Sequence, residues 1–343
     1  MWGLLWRWLA LISGLAFGVI TLVLTGRCCL AGHLLAFAGF DGDIYLSDIS
    51  RHWTRNLTRS PSQAAQPVWS PDGQHIAYLA RSDAGWEVYL MNAAGGDIRR
   101  LPVDSTPGLR TIAWSPDGRW LAYTAQSGGA NDIYLLDMHS GAARNLTQHP
   151  AEDQGPAWSP DSQQILFTSY RTGDAEIFVM DIDCDDPPCP AHNLTRNPAV
   201  DTLPQWSPDG TMIAYLSNRD GGDYDVFIQP LAGGTARNVS RTHLDDAQPE
   251  WFPDGTKLLW LSPYNERYDR RVVIGNLAGE HERTLADLNG NITSAKWSPD
   301  GRYIALAYTA EAIRSIYVVN VRDGRWHIVA GGMDGHSPAW QSH

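Results

Sequence analysis

The chain has 343 residues, of which 43% are hydrophobic and 19% charged, and it carries a formal net charge of −12 with an isoelectric point near 5.3. That length suits one large domain, and an acidic chain repels phosphate backbones, which excludes nucleic acid as an expected partner. The 15 tryptophans and 32 glycines exceed ordinary usage, and most recur at matching positions.

In chain order, the first feature is Trp8 to Thr25, an uncharged and mostly apolar stretch of 18 residues between Arg7 and Arg27. That is about the minimum for a helix that crosses a bilayer. It predicts one N-terminal transmembrane helix, with residues 1–32 as membrane anchor and short linker and 33–343 as one folded domain. The alternative is a cleaved signal peptide. Its apolar region normally spans about 7–15 residues and ends in small ones, whereas Cys29-Leu30-Ala31 is a poor cleavage site. Arg27 ahead of Cys28, where a small residue would be expected, argues against a lipoprotein. Arg7 and Arg27 nearly balance, so charge barely discriminates the orientation.

Beyond the linker, strand-like pieces run from Leu34 to Ala38, Asp43 to Leu46 and Thr54 to Thr58. Then a unit begins that recurs to the end of the chain. Pro67-Val68-Trp69 reads as a short strand A, and Ser70-Pro71-Asp72-Gly73 as a turn whose proline presets φ and whose glycine accepts a positive φ. His75 to Leu79 gives strand B, Glu87 to Met91 strand C, and Arg99-Arg100-Leu101 begins strand D. The tryptophan recurs at 69, 114, 158, 206, 251, 297 and 340, at intervals of 45, 44, 48, 45, 46 and 43 residues. A period of about 40 to 50 residues with four strands per repeat signals a β-propeller.

The longest repeat contains Asp183-Cys184-Asp185-Asp186-Pro187-Pro188-Cys189. Its spacing and two prolines suit a small disulfide loop between Cys184 and Cys189 in an oxidising compartment. Two free thiols are the alternative; a metal site is poorly supported, because His192 would be a lone third ligand. At the end, Pro338-Ala339-Trp340 is a strand A with only three residues after it. The first B-C-D set lacks a strand A, so the last strand completes it. The expected fold is all-β: a seven-bladed β-propeller with blade 1 assembled from 33–60 plus 334–343, closed by pairing the C-terminal strand with the N-terminal blade, which removes exposed sheet edges.

The unit resembles the repeats of TolB-type propellers: a proline, one residue, Trp-Ser-Pro-Asp-Gly, then Ile-Ala-Tyr or Phe, then Asp-Ile-Tyr and Asn-Leu-Thr. Trp-Ser-Pro-Asp-Gly stands intact at 69, 114, 206 and 297, with variants at 158 and 251. The resemblance covers about 300 residues and implies the fold. TolB itself pairs a six-bladed propeller with an N-terminal α/β domain, which departs from the seven repeats here, so its partners do not carry over. Similar repeats form the propeller of prolyl oligopeptidases and of some polysaccharide lyases that use metal-bound histidines.

A four-stranded meander puts the D-to-A and B-to-C connections on one face and the Ser-Pro-Asp-Gly turns on the other. Gly26 to Gly32 reaches roughly 25 Å at full extension, so the turn-rich face is expected toward the membrane. The opposite face has variable loops and is the expected binding face. Its D-to-A loops carry Asp153, Asp201 and Asp246, each three residues before the strand A proline, along with His149, His243 and His336. The B-to-C loops add Arg171, Arg219 and Asp220, with Glu266 and Asp269 among further charged residues. Such an acidic rim could hold a cation or a basic peptide. The repeated aspartates could instead be turn carboxylates bonded to the loop backbone. The histidines belong to blades four, six and one, which are not neighbours, so no shared metal site is expected.

Asn56, Asn145, Asn193 and Asn238 fit the glycosylation sequon, but all occupy one strand D position and count as a single structural observation. Gly95-Gly96 and Gly233-Gly234 read as hairpin turns. No nucleophile–base pairing, metal spacing or cofactor motif stands out. The sequence therefore reads as a membrane-anchored, extracytoplasmic propeller that binds protein or peptide on the face away from the membrane. An enzyme acting on carbohydrate or peptide at the channel mouth and a structural subunit of a membrane complex are the alternatives.

Overall fold

The computed structural model describes residues 34–342 except 61, 104–108, 185–188, 266, 268, 286–289, 311–312 and 331–334. The apolar stretch 8–25 lies outside the described residues; among those described, no helix is long and apolar enough to cross a membrane. The described residues form seven four-stranded antiparallel sheets. In six of them the strands follow chain order. In the seventh, Gly335–Trp340 pairs with Leu34–Gly39, which continues to Ile44–Asp48 and Trp53–Asn56. Leu35 sits opposite Trp340 and Ala36 opposite Ala339, so the two ends of the chain share blade 1.

The reason for a closed ring lies in the strand patterns. Strands B and C are buried on both sides, as in Leu34–Gly39 and Met212–Ser217, where every residue after the first is buried. A sheet with two apolar faces must be covered twice. The apolar core accordingly divides into seven clusters, one at each blade boundary, including the seam between blades 7 and 1 where Phe37 and Trp340 meet Ala305 and Val318.

The seven tryptophans sit at these boundaries. Six are 5 to 9% exposed, and four donate an indole hydrogen bond to the preceding blade. Trp69, Trp158, Trp206 and Trp340 reach the carbonyls of Ala339, Ala113, Ala157 and Lys296 at 2.9–3.1 Å. Each acceptor lies one residue before the neighbouring blade's tryptophan, so the repeat period itself sets the contact.

The turn that follows is held by its own side chains. Ser70 donates its hydroxyl to Asp72 at 2.5 Å and accepts from the His75 amide at 2.9 Å, and Gly73 sits at φ +65°. Blade 4 departs from this, since Ser162 takes the glycine position at φ 62°. Its hydroxyl accepts the Asp117 amide of blade 3 at 3.0 Å, a contact that glycine could not make.

Strand D is latched by the first acid of strand C. Asn56, Asn145 and Asn238 each donate to Asp43, Asp132 and Asp225 at 2.6–2.8 Å. The same carboxylates accept a backbone amide of the loop leading to the next blade, from Ser60, His149 and Thr242. Three of the four sequon asparagines thus close strand D, while Asn193 accepts the Thr195 and Arg196 amides at 3.0 and 3.1 Å.

Replacing Trp340 with alanine opens a cavity at the closing seam. Large-to-small changes of this kind cost about 3–5 kcal/mol, and equilibrium denaturation should show a loss of that size with the midpoint shifted well below that of the parent chain.

Candidate functional site

Strand A of each blade meets strand A of the next around the ring, which makes these strands the wall of a central channel. A cavity of about 470 Å³ occupies the channel and is lined by strand A residues from six blades. Its polar lining is mostly amide and hydroxyl: Gln66, Gln205, Gln248 and Ser294 contribute. Leu203 projects there with 46% of its surface exposed. Among the described residues of the lining Lys296 is the only charged one, and Glu250 neutralises it at 2.8 Å.

The third residue before each tryptophan explains how these side chains reach the channel. Gln66, Leu203, Gln248 and Ser337 all adopt φ near 50°, and Gly155 takes the same place in blade 4. Pairing with strand B shifts register at this point in all five blades. It is a repeated β-bulge, which re-aims a side chain that a regular strand would turn elsewhere. A left-handed conformation costs a residue with a Cβ roughly 1–2 kcal/mol, so four such positions around one channel mark a constrained and shaped surface.

The charged residues expected at the rim are placed differently. Asp153 and Asp201 are 0% exposed and Asp246 is 2% exposed, so they form no open acidic ring. Nor are they turn carboxylates: their partners are mainly side chains. Arg171 donates to Asp153 at 2.9 Å, and Arg219 donates to both Asp201 oxygens at 3.1 and 3.0 Å, joined by Asn197 at 2.5 Å. Each guanidinium also lies over an aromatic pair, Phe167 with Phe178 in blade 4 and Tyr215 with Phe227 in blade 5, at 4.7–5.4 Å from the ring centroids. Burial raises Asp153 despite the opposing pull of Ser169 and Arg171.

Blade 6 lacks the arginine, with Tyr264 at the corresponding position. Thr242 donates to Asp246 at 3.0 Å. Burial pushes the Asp246 carboxyl up to about 6, only partly offset by the hydroxyls of Ser240, Ser262 and Thr242.

Of the remaining rim candidates, Asp220 is exposed and accepts from Asn238 at 3.1 Å. His149 is half-buried and its Nδ1 accepts the Ala151 amide, while His243 is exposed. His336 packs edge-on to Phe40, and burial followed by the nearby Arg314 lowers its pKa. The three histidines stand in separate blades, and among the described residues no group of three or more potential ligands is arranged to hold a metal ion. Glu266 lies outside the described residues. Cys184 and Cys189 are joined in a disulfide. The channel residues were missed by inspection of the sequence because glutamines, serines and a leucine carry no chemical signature; the one available signal was their shared offset from the tryptophan.

Residues 103–189 and 188–342 match the TolB beta propeller domain family. The chain belongs to the TolB β-propeller family. No curated protein matches it in sequence. Among solved structures it is similar to TolB from Acinetobacter baumannii, at 20% identity and a TM-score of 0.58, covering 94% of this chain and 70% of that one. It is also similar to an oligogalacturonate lyase in complex with manganese, at 17% identity and a TM-score of 0.66, covering 88% and 86%. A Mycobacterium tuberculosis puromycin-hydrolyzing peptidase aligns at 14% identity and 0.66, over 88% of this chain and 54% of that one. At such identities the likeness is one of fold, and it extends to a lyase and a peptidase as well as to TolB.

Two outcomes follow from the buried carboxylates. Arg219→Ala leaves Asp201 buried without its cation, which costs about 3–5 kcal/mol, and adding Asp201→Ala should recover part of that loss in urea denaturation. Asp246 has a folded pKa above its unfolded value of 3.8, so the folded state binds the extra proton between about pH 4 and 6. Its ionisation therefore destabilises the fold as pH rises through that window. Asp246→Asn should be more stable than the parent at pH 7, by at most ~3 kcal/mol, with the difference vanishing toward pH 4.

Proposed function

We propose that this chain is a membrane-anchored, extracytoplasmic binding module of the TolB family, which takes a protein or peptide segment into its central channel from the face away from the membrane. The observation that carries this reading is the channel wall. Glutamine amides donate and accept hydrogen bonds, as a peptide main chain requires, and exposed Leu203 offers an apolar contact beside them. Among the described residues that line the channel cavity there is no imidazole, and the carboxylate beside it, Glu250, is held by Lys296 at 2.8 Å and by the Trp297 amide. That supports binding over catalysis, although structures of enzymes share the fold. The apolar stretch 8–25 supports the anchor, and the Cys184–Cys189 disulfide supports an oxidising compartment.

A structural-subunit role has one observation in its favour. Trp326 and Ile328, on the outermost strand of blade 7, leave 50% and 49% of their surfaces exposed on the side of the ring. Photo-crosslinking separates the two. A crosslinker at position 203 should give a discrete protein adduct in membranes, and Leu203→Asp should weaken capture of that partner at least tenfold, ~1.4 kcal/mol. Adducts from position 328 alone would overturn the channel reading.

A further inference from the structure

The aromatic pair beneath Arg171 and Arg219 recurs in blades 1 to 5, always between facing residues of strands B and C. What covers it differs from blade to blade. In blades 4 and 5 an arginine does so, held by an aspartate and a serine of its own blade: Asp153, Ser169, Arg171 and Asp201, Ser217, Arg219. In blade 3, Leu109 stands at the aspartate position, fully buried in a cluster with Tyr123 and Ala125. In blade 1, Asp41 takes the arginine position and accepts the Tyr45 hydroxyl at 2.5 Å, so close that a Cβ added at Gly39 would meet both side chains. In blade 2 the whole set is cut back to Ala64, Ala80 and Ser82. Ser82 turns into its own hairpin, donating to the Gly85 carbonyl at 3.2 Å and accepting the Ala84 amide at 3.3 Å. Among the described residues nothing refills the space, and a pocket of about 350 Å³ stands over Tyr78 and Tyr89 at the boundary of blades 1 and 2. That is the size of a small-ligand site.

What remains in blade 2 suits the group that blades 4 and 5 supply from within. The two tyrosine rings, with centroids 5.8 Å apart and planes inclined by 26°, keep the stacked platform. On the same platform in blades 4 and 5 the guanidinium carbon lies 4.7–5.4 Å from the ring centroids, and a tyrosine face attracts a cation as a phenylalanine face does. Carboxylates back the pocket on two sides. Glu87 accepts the Tyr89 hydroxyl at 3.2 Å, and Asp43 accepts the Thr58 hydroxyl at 2.7 Å and the Ser60 amide at 2.8 Å. Against the pull of burial, bonds from Asn56, Ser60 and Thr58 hold Asp43 below the usual carboxylate range, so it is charged at neutral pH. Of the nearby cations, Arg100 is paired with Glu87 at 3.0 Å. Arg81 has Trp86 as its register partner, which packs at the boundary of blades 2 and 3, on the opposite face of the sheet from Tyr78 and Ala80. Arg59 is exposed in the lining and is the like charge that an entering cation meets. Burial pushes the Tyr78 phenol up to about 12, so it stays neutral and its oxygen can accept a hydrogen bond. Ala64, Ala80 and the exposed Ile98 give the pocket an apolar wall.

We propose that the pocket between blades 1 and 2 is a socket for an arginine side chain of a partner peptide. The guanidinium lies on Tyr78 and Tyr89, as Arg171 and Arg219 lie on their own pairs, and the methylene stem runs against Ala64, Ala80 and Ile98. The site is separate from the channel and does not depend on what the channel takes. Lysine fits less well, because a compact and strongly hydrated ammonium does not match a flat stacked platform.

The probe is N-acetyl-arginine amide, titrated against the full chain in detergent and read by ligand-observed NMR, with the matching lysine, glutamate and citrulline amides as comparators. Citrulline keeps the shape of arginine and lacks its charge. The arginine probe should bind in the millimolar range or tighter, and citrulline at least tenfold more weakly. Two variants fill the pocket by the protein's own solutions: Ala64→Leu installs the side chain of blade 3, and Ala64→Asp with Ala80→Ser and Ser82→Arg rebuilds the set of blade 4. Each should abolish binding without lowering the thermal midpoint. Arg59→Ala removes the like charge and should strengthen binding, roughly twofold. Equal binding of citrulline or lysine, preference for glutamate, no detectable arginine binding, loss of binding in Arg59→Ala, or binding that survives both filled variants would each overturn the proposal.

Discussion

The structure depends on one constraint: no blade can bury its own apolar surface. Strands B and C are buried on both faces, so each sheet needs a neighbour on either side, and a finite stack of such sheets is satisfied only when the first meets the last. The seam between Gly335–Trp340 and Leu34–Gly39 therefore matters more than its few hydrogen bonds suggest. It converts seven sheets with two uncovered faces into a ring with none. Once the ring closes, strand A of each blade faces a common axis, and the channel follows.

Within this frame the repeat carries two layers of residues with different jobs. The tryptophan, the Ser-Pro-Asp-Gly turn and the strand C acid bonded to strand D recur because they hold one blade and attach it to the next. The residues between them vary: the offset three before the tryptophan supplies glutamine, leucine or serine to the channel. The offset five before it supplies aspartate, leucine or alanine to the space over the aromatic pair. Variation at the second offset decides whether that space is an ion pair, a packed core or an open pocket.

The buried acids show why charge in a sequence is a poor guide to charge on a surface. Asp153, Asp201 and Asp246 look alike in the chain, yet two are neutralised by an arginine 18 residues downstream and the third by none. Burying an ion is costly unless a partner comes with it, so Asp246 responds by shifting its proton affinity upward. The three repeated aspartates thus belong to the interior, and the channel cavity is lined instead mainly by amides, hydroxyls and small or apolar side chains.

The sequence by itself determined the blade count, the strand order, the turn chemistry and the closure of blade 1 by Trp340, because these are periodic and each repeat reports the same local physics. It also determined the family through Trp-Ser-Pro-Asp-Gly and the motifs around it. Only the tertiary structure decided which side chains reach the channel, since a bulge of one residue reverses the direction a side chain takes. The depth at which the three aspartates lie, and the opening of the pocket in blade 2, depend likewise on pairs of residues far apart in the chain meeting across a boundary. Such contacts leave no period to read: alanine at 64 and serine at 82 border an open pocket only because Arg59, Ser60 and Ser62 are folded beside them.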